Sequence, residues 1–148
     1  MKTHTHRIRN MMVYLGILFM VAVFSSCATK ADFLSSSVVP AAKGTVIVKE
    51  DDNKNYQIKV DVTNLANSKD LSPPRNVYVL WMRTNKDEIK NLGQIVSSTS
   101  SISNKLKASF ETVSFDKPIK IFITAENEAD VQFPDSEMVL FTDLISLK

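Results

Sequence analysis

Histidine and cysteine are nearly missing from this chain of 148 residues. The two histidines are His4 and His6 and the one cysteine is Cys27, so residues 28–148 hold neither an imidazole nor a thiol. Zinc, copper and iron centres built on those side chains are thereby excluded from residues 28–148. So are Ser–His and Cys–His nucleophiles, which need an imidazole as base. A single cysteine also rules out an intramolecular disulfide. Glycine is scarce as well. Gly16, Gly44 and Gly93 are the only three, with no G-x-G spacing, which leaves no phosphate cradle.

Long hydrophobic runs are limited to residues 11–24, interrupted by Gly16. That length suits a signal-peptide core and falls short of the roughly 20 residues that cross a bilayer comfortably. A polar stretch with Lys2, Arg7 and Arg9 precedes it, and the small residues Ser25 and Ser26 follow, then Cys27. Phe24-Ser25-Ser26-Cys27 resembles the lipobox read by lipoprotein signal peptidase, with Phe24 where the motif usually has leucine. The resemblance implies cleavage before Cys27, a diacylglyceryl group on its sulfur and an acyl chain such as palmitate on its freed amine. Several acyl chains hold a protein firmly on a membrane, whereas one gives only marginal binding. The alternatives are an uncleaved transmembrane anchor or an ordinary cleaved signal. Lipidation is preferred because it accounts for a lone thiol in an exported protein. Ala28 is not the aspartate that typically retains lipoproteins in the inner membrane, and residues 28–32 lack an acidic surface-display cluster. The expected location is therefore the outer membrane of a two-membrane cell, facing the periplasm.

The formal charge is +2, from 18 basic and 16 acidic residues. Without Lys2, Arg7 and Arg9 the basic residues become 15 and the balance turns to about −1. The remaining lysines are dispersed, so there is no nucleic-acid footprint. A carboxylate pair or a Ser–Lys dyad would be the surviving catalytic options, and neither has a motif. The chain is read as a non-enzyme without a cofactor, whose partners are the membrane, through its anchor, and a protein of the envelope.

Residues 28–42, with Ser35-Ser36-Ser37 and Pro40, read as a flexible tether. The expected organisation is a signal peptide over 1–26, lipidated Cys27 plus tether over 27–42, and a domain over 43–148. Within that domain residues 56–62 alternate, with Tyr56, Ile58, Val60 and Val62 on one face and Gln57, Lys59 and Asp61 on the other. Residues 77–82 are continuously apolar, as in a central strand covered on both faces. Further strands are expected at 45–49, 89–96, 106–111, 119–124 and 138–141, with a serine-rich loop over 97–104. About seven short strands without a competing helical pattern predict an all-β fold, a small antiparallel β-sandwich of immunoglobulin-like architecture.

Tyr78-Val79-Leu80-Trp81-Met82, a polar turn, and Asn91-Leu92-Gly93-Gln94-Ile95 resemble the extracytoplasmic domain of anti-sigma-K factors. Phe110, residues 119–126, Phe133-Pro134-Asp135-Ser136 and Val139-Leu140-Phe141 follow in matching order, so the resemblance spans about residues 44–142. It implies the sandwich fold and a place as an accessory or sensory component of an envelope signalling system. Only ten residues precede the apolar core, too few to wrap a sigma factor.

Candidate residues divide by chemistry. Trp81 is expected as a core anchor between the two sheets, Tyr78 as core with its hydroxyl at the rim as the alternative, and Gly93 as a bulge or close approach. Asp51-Asp52-Asn53 could ligate calcium but lacks the spacing of a calcium loop, and reads as a solvated turn. Glu126, Glu128, Asp130 and Asp135 form a sparse acidic region expected to be a solvated loop, while Lys105, Lys107 and Lys120 would keep an outer face soluble. The leading reading is a binding module, ahead of the signalling role and of a carboxylate enzyme acting on glycans, whose paired acids would stand about 5 to 10 Å apart.

Overall fold

The computed structural model describes residues 28–99 and 106–147. The expected signal segment with Phe24, Ser25 and Ser26, and Cys27, lie outside the described residues, as does Lys105. Among the described residues the strands are β1 (Ala28–Asp32), β2 (Lys43–Glu50), β3 (Tyr56–Thr63), β4 (Val77–Thr84), β5 (Ile89–Ile95), β6 (Ser97–Thr99), β7 (Leu106–Ser114), β8 (Pro118–Glu126) and β9 (Met138–Phe141). They form two antiparallel sheets, ordered β1-β2-β3-β7-β6 and β5-β4-β8-β9, packed as a β-sandwich. With β2 to β9 lettered A, B, C, C′, D, E, F and G, the sheets read A-B-E-D and C′-C-F-G. This is the immunoglobulin-like connectivity, built without the disulfide.

The alternation in β3 does what its period dictates: Tyr56, Ile58, Val60 and Val62 are buried while Gln57 and Lys59 face water. On that wet face Asp61 accepts from Ser109 Oγ at 2.8 Å and Glu111 from Gln57 Nε2 at 3.1 Å, so cross-strand polar pairs hold a solvated surface. β4 lies between β5 and β8 and is buried on both faces. Tyr78, Leu80 and Met82 point into the main core with Val46, Ile58 and Leu140, whereas Val79 and Trp81 point the other way.

Two expectations fail. Residues 28–42 are not a flexible tether. Ala28–Asp32 pairs with β2 from Ala28↔Lys49 to Asp32↔Thr45, Phe33 bridges to Thr142, and Val39 and Ala42 are buried in the main core. The chain therefore crosses from the edge of one sheet to the β9 edge of the other, where Leu34 N donates to Phe141 O at 2.9 Å. Gly44 permits this crossing, because a Cβ there would stand 2.8 Å from both Phe33 Cδ2 and Asp61 O. Likewise, Ser97–Thr99 of the expected serine-rich loop is a short strand paired with β7.

The two ends of the sandwich differ. Tight turns at 51–55, 85–88 and 115–117 close one end, and Ala28 sits there too, level with Lys49. Asp51 organises the first turn by accepting from the backbone N–H groups of Asn53 and Asn55, each at 2.8 Å, with Lys54 at φ 65°. Asp116 ties the other two together through Lys86 at 3.2 Å and Lys90 at 2.5 Å. The long connections at 33–42, 64–76 and 127–137 all lie at the opposite end.

Candidate functional site

Loops are free to vary in shape only where strands hold their ends, and the sandwich gathers three of them at one end. Between them lies a groove of about 270 Å³. Val38, Leu71, Pro73, Ala125 and Val139 supply its apolar surface, and Arg75, Asp135, Ser136 and Glu137 its polar rim. The Ser72–Pro73 peptide is cis, and the neighbouring 3-10 turn Ser68–Asp70 is capped by Asn67, whose side chain accepts from Lys69 N. Arg75 N in turn donates to Ser68 O at 2.9 Å. Among the described residues the Arg75 side chain makes no ion pair within 4.0 Å. The groove thus offers apolar contact with one cation and two carboxylates nearby. Its volume falls just below the usual range for small-molecule pockets and suits one or two side chains.

The wall made by residues 127–137 is fastened from beneath. Trp81 Nε1 donates to Thr124 Oγ1 at 2.8 Å, and Thr124 Oγ1 donates to Glu126 Oε1 at 2.6 Å. The same Glu126 oxygen accepts from Asp135 N at 3.2 Å. Trp81, Thr124 and Glu126 are all buried, so the two bonds from Trp81 through Thr124 to Glu126 are protected from water, while the one from Asp135 N is half-buried. Ser136 Oγ donates to Ala125 O at 2.7 Å, and Asn76 reaches Asn127 O at 3.0 Å. Asn91 Nδ2 donates to both Ala129 O and Val131 O at 2.9 Å, while its Oδ1 accepts from Gly93 N at 2.8 Å. Val131 then packs over Val79, Trp81 and Phe122.

That arrangement corrects the placement of Trp81. It anchors a second, smaller core on the outer face of the β5-β4-β8-β9 sheet, not the core between the sheets. The reason is phase: Tyr78, Leu80 and Met82 take the inner positions, so Val79 and Trp81 must take the outer ones. Phe122 stacks beside Trp81 with centroids 6.2 Å apart and planes 11° off parallel. Lys120 sits 4.6 Å over the Phe141 ring at the margin of this cluster.

Tyr78 lies in the main core, and its hydroxyl is buried without a hydrogen-bond partner. Burial, with the charge of Asp70 adding to it, pushes the phenol up to about 12. Gly93 was expected at a bulge or a close backbone approach, and it has a φ of 130° beside a bulge. Leu80 pairs with Gly93 and Trp81 with Asn91, leaving Leu92 as the extra residue of a bulge. A Cβ on Gly93 would approach Phe110 Cζ to 3.1 Å. Of the acidic region, Glu128, Asp130 and Asp135 are exposed, but Glu126 is buried and serves the polar chain. Asp51 is spent on its own turn, and Asn55 Nδ2 as a donor holds its carboxyl below the usual range. Among the described residues no group of three or more His, Cys, Asp or Glu side chains could hold a metal ion. Lys107 is exposed on the wet face, where Lys105 was expected beside it.

Sequence reading gave no site role to Asn91, Arg75 or the groove residues Val38, Leu71 and Val139. An asparagine inside a strand is unfavourable and was the one signal for Asn91. The others come from two separate loops and from β9, and carry no joint pattern. No family model, curated protein or solved structure matches the chain.

Proposed function

We propose that the chain is a lipid-anchored, non-enzymatic binding module of a bacterial envelope, held through Cys27, that meets a partner protein at its loop end. The observation that carries this reading is the groove at the end of the sandwich opposite Ala28, with its apolar surface and its Arg75, Asp135 and Glu137 rim. An anchor next to Ala28 would leave those loops facing away from the membrane. Eight-residue strands span roughly 25 Å, so the groove would stand that far above the anchored end. The partner element it suits is a short segment that inserts an apolar side chain and offers charge to both signs on the rim.

A signalling role beside a separately encoded regulator is subordinate. It rests on the resemblance of residues 78–82 and 91–95, and in the structure those side chains serve the two cores, the bulge and the fastening of residues 127–137. The test is capture of partners from detergent-solubilised membranes with the full chain, with Val38→Arg plus Arg75→Glu, and with Lys59→Glu on the wet face. A partner retained by the parent and by Lys59→Glu but lost by the groove variant supports the reading. No partner above background, or loss only with Lys59→Glu, contradicts it.

A further inference from the structure

The tight-turn end of the sandwich carries large apolar side chains that are exposed. Phe115, in the β7–β8 turn, is 85% exposed and Leu144 is 72% exposed. Val113, at the end of β7, is 57% exposed. Leu144 belongs to this end because its neighbour Ile145 donates its N–H to Ile119 O at 2.7 Å, next to the start of β8. Isolated exposed apolar residues need no explanation, but a group at the end where an anchor would sit does.

The register ties that group to the attachment point. Ala28 pairs with Lys49, Lys49 with Gln57 and Gln57 with Val113, so one row runs straight across four strands. Strand spacing puts Val113 about 14 Å from Ala28 along the row, and Phe115 lies just past its end. Cys27 is joined directly to Ala28, and one residue reaches at most about 3.6 Å. With β1 paired from its first residue, no slack remains to lift the domain clear of acyl chains on Cys27. Apolar side chains docked on a bilayer sit about 5 to 10 Å into the headgroup and acyl boundary, within reach of a phenylalanine in the turn just past that row. The charged groups at this end are mixed, with Asp51, Asp52, Lys54, Lys117 and Asp143 all present, so neither sign dominates the approach.

We infer that this end is a membrane-contacting surface: Phe115 and Leu144 dip into the lipid interface beside the anchor, fixing the domain upright with its loops outward. The inference rests on the lipidation of Cys27 proposed above.

The test places tryptophan as a depth reporter in the full chain. Phe115→Trp, Leu144→Trp and, at the loop end, Phe133→Trp are purified from membranes and reconstituted into phosphatidylethanolamine–phosphatidylglycerol vesicles, plain or brominated. Emission is compared with the parent, whose Trp81 is buried and common to all, and flotation and amino-terminal mass are recorded for each. The expected result is bromine quenching and a blue shift at positions 115 and 144 and neither at 133. Quenching at 133 and not at 115 means the domain is inverted and overturns the inference. An acylated, floating protein with no quenching at 115 or 144 overturns it while leaving the anchor intact. A protein that neither floats nor carries acyl chains removes the premise and the inference together.

Discussion

Ala28 pairs with Lys49 one residue from the end of β2, so the described chain starts at the tight-turn end of the sandwich and not among its loops. That pairing converts a segment expected to be slack into part of the sheet. It also sets the three long connections, and the groove they build, at the far end from Ala28. The remaining features can be tested one at a time.

Trp81 is buried, stacked on Phe122 and bonded through its indole N–H. Its emission is expected to be blue-shifted and shielded from aqueous quenchers. Trp81→Ala leaves a cavity under Val131 and strands Thr124, at a cost of about 3 to 5 kcal/mol. Denaturant unfolding measures the loss, and a value below 1 kcal/mol would contradict this account of the outer core.

Glu126 accepts from Thr124 and from Asp135 N with one oxygen. Glu126→Ala removes the acceptor of both donors and leaves the buried Thr124 hydroxyl without it, worth about 1 to 3 kcal/mol, whereas Glu126→Gln keeps an acceptor oxygen and recovers part of it. Hydrogen exchange is expected to speed up within residues 127–137 in the alanine variant before it does so in β3. Uniform acceleration would show that Glu126 does not fasten this loop.

The unpartnered hydroxyl makes Tyr78→Phe neutral or stabilising by about 1 kcal/mol. The phenol also makes stability fall in alkali. Its folded pKa is about 12 against about 10 unfolded, so its contribution is intact below pH 10 and is lost as pH rises from 10 towards 12. The shift corresponds to about 2 to 3 kcal/mol at most. Unfolding measured across that range should show the decline in the parent and a smaller one in Tyr78→Phe. Identical profiles would refute the assignment.

Gly93→Ala meets two obstacles, a φ of 130° and the Phe110 ring 3.1 Å from the added carbon. The backbone conformation alone costs about 1 to 3 kcal/mol. Pairing it with Phe110→Leu should relieve the contact but not the strain, leaving a residual loss. Full recovery in the double variant would mean that φ is not the obstacle.

The fold was legible wherever periodicity had a phase. Alternation in residues 56–62 identified the inner face of β3 correctly, and the apolar run 77–82 identified a strand buried on both sides. The same run concealed which side Trp81 takes, because a segment apolar on both faces has no phase to read. β1 was hidden for a different reason. Ala28-Thr29-Lys30-Ala31-Asp32 has little intrinsic strand preference and is held by pairing with β2, a long-range effect absent from any local pattern. The groove was invisible because Val38, Leu71 and Val139 meet only after two loops fold against β9.

The central claim is that Cys27 is the acylated first residue of the mature chain, one peptide bond from β1. Intact-mass and peptide mass spectrometry of the protein extracted from its native membranes tests this most directly. The account predicts an amino-terminal peptide that begins at Cys27 and carries diacylglyceryl and acyl groups. A peptide extending upstream of Cys27, or a Cys27 that alkylates as a free thiol, would contradict it.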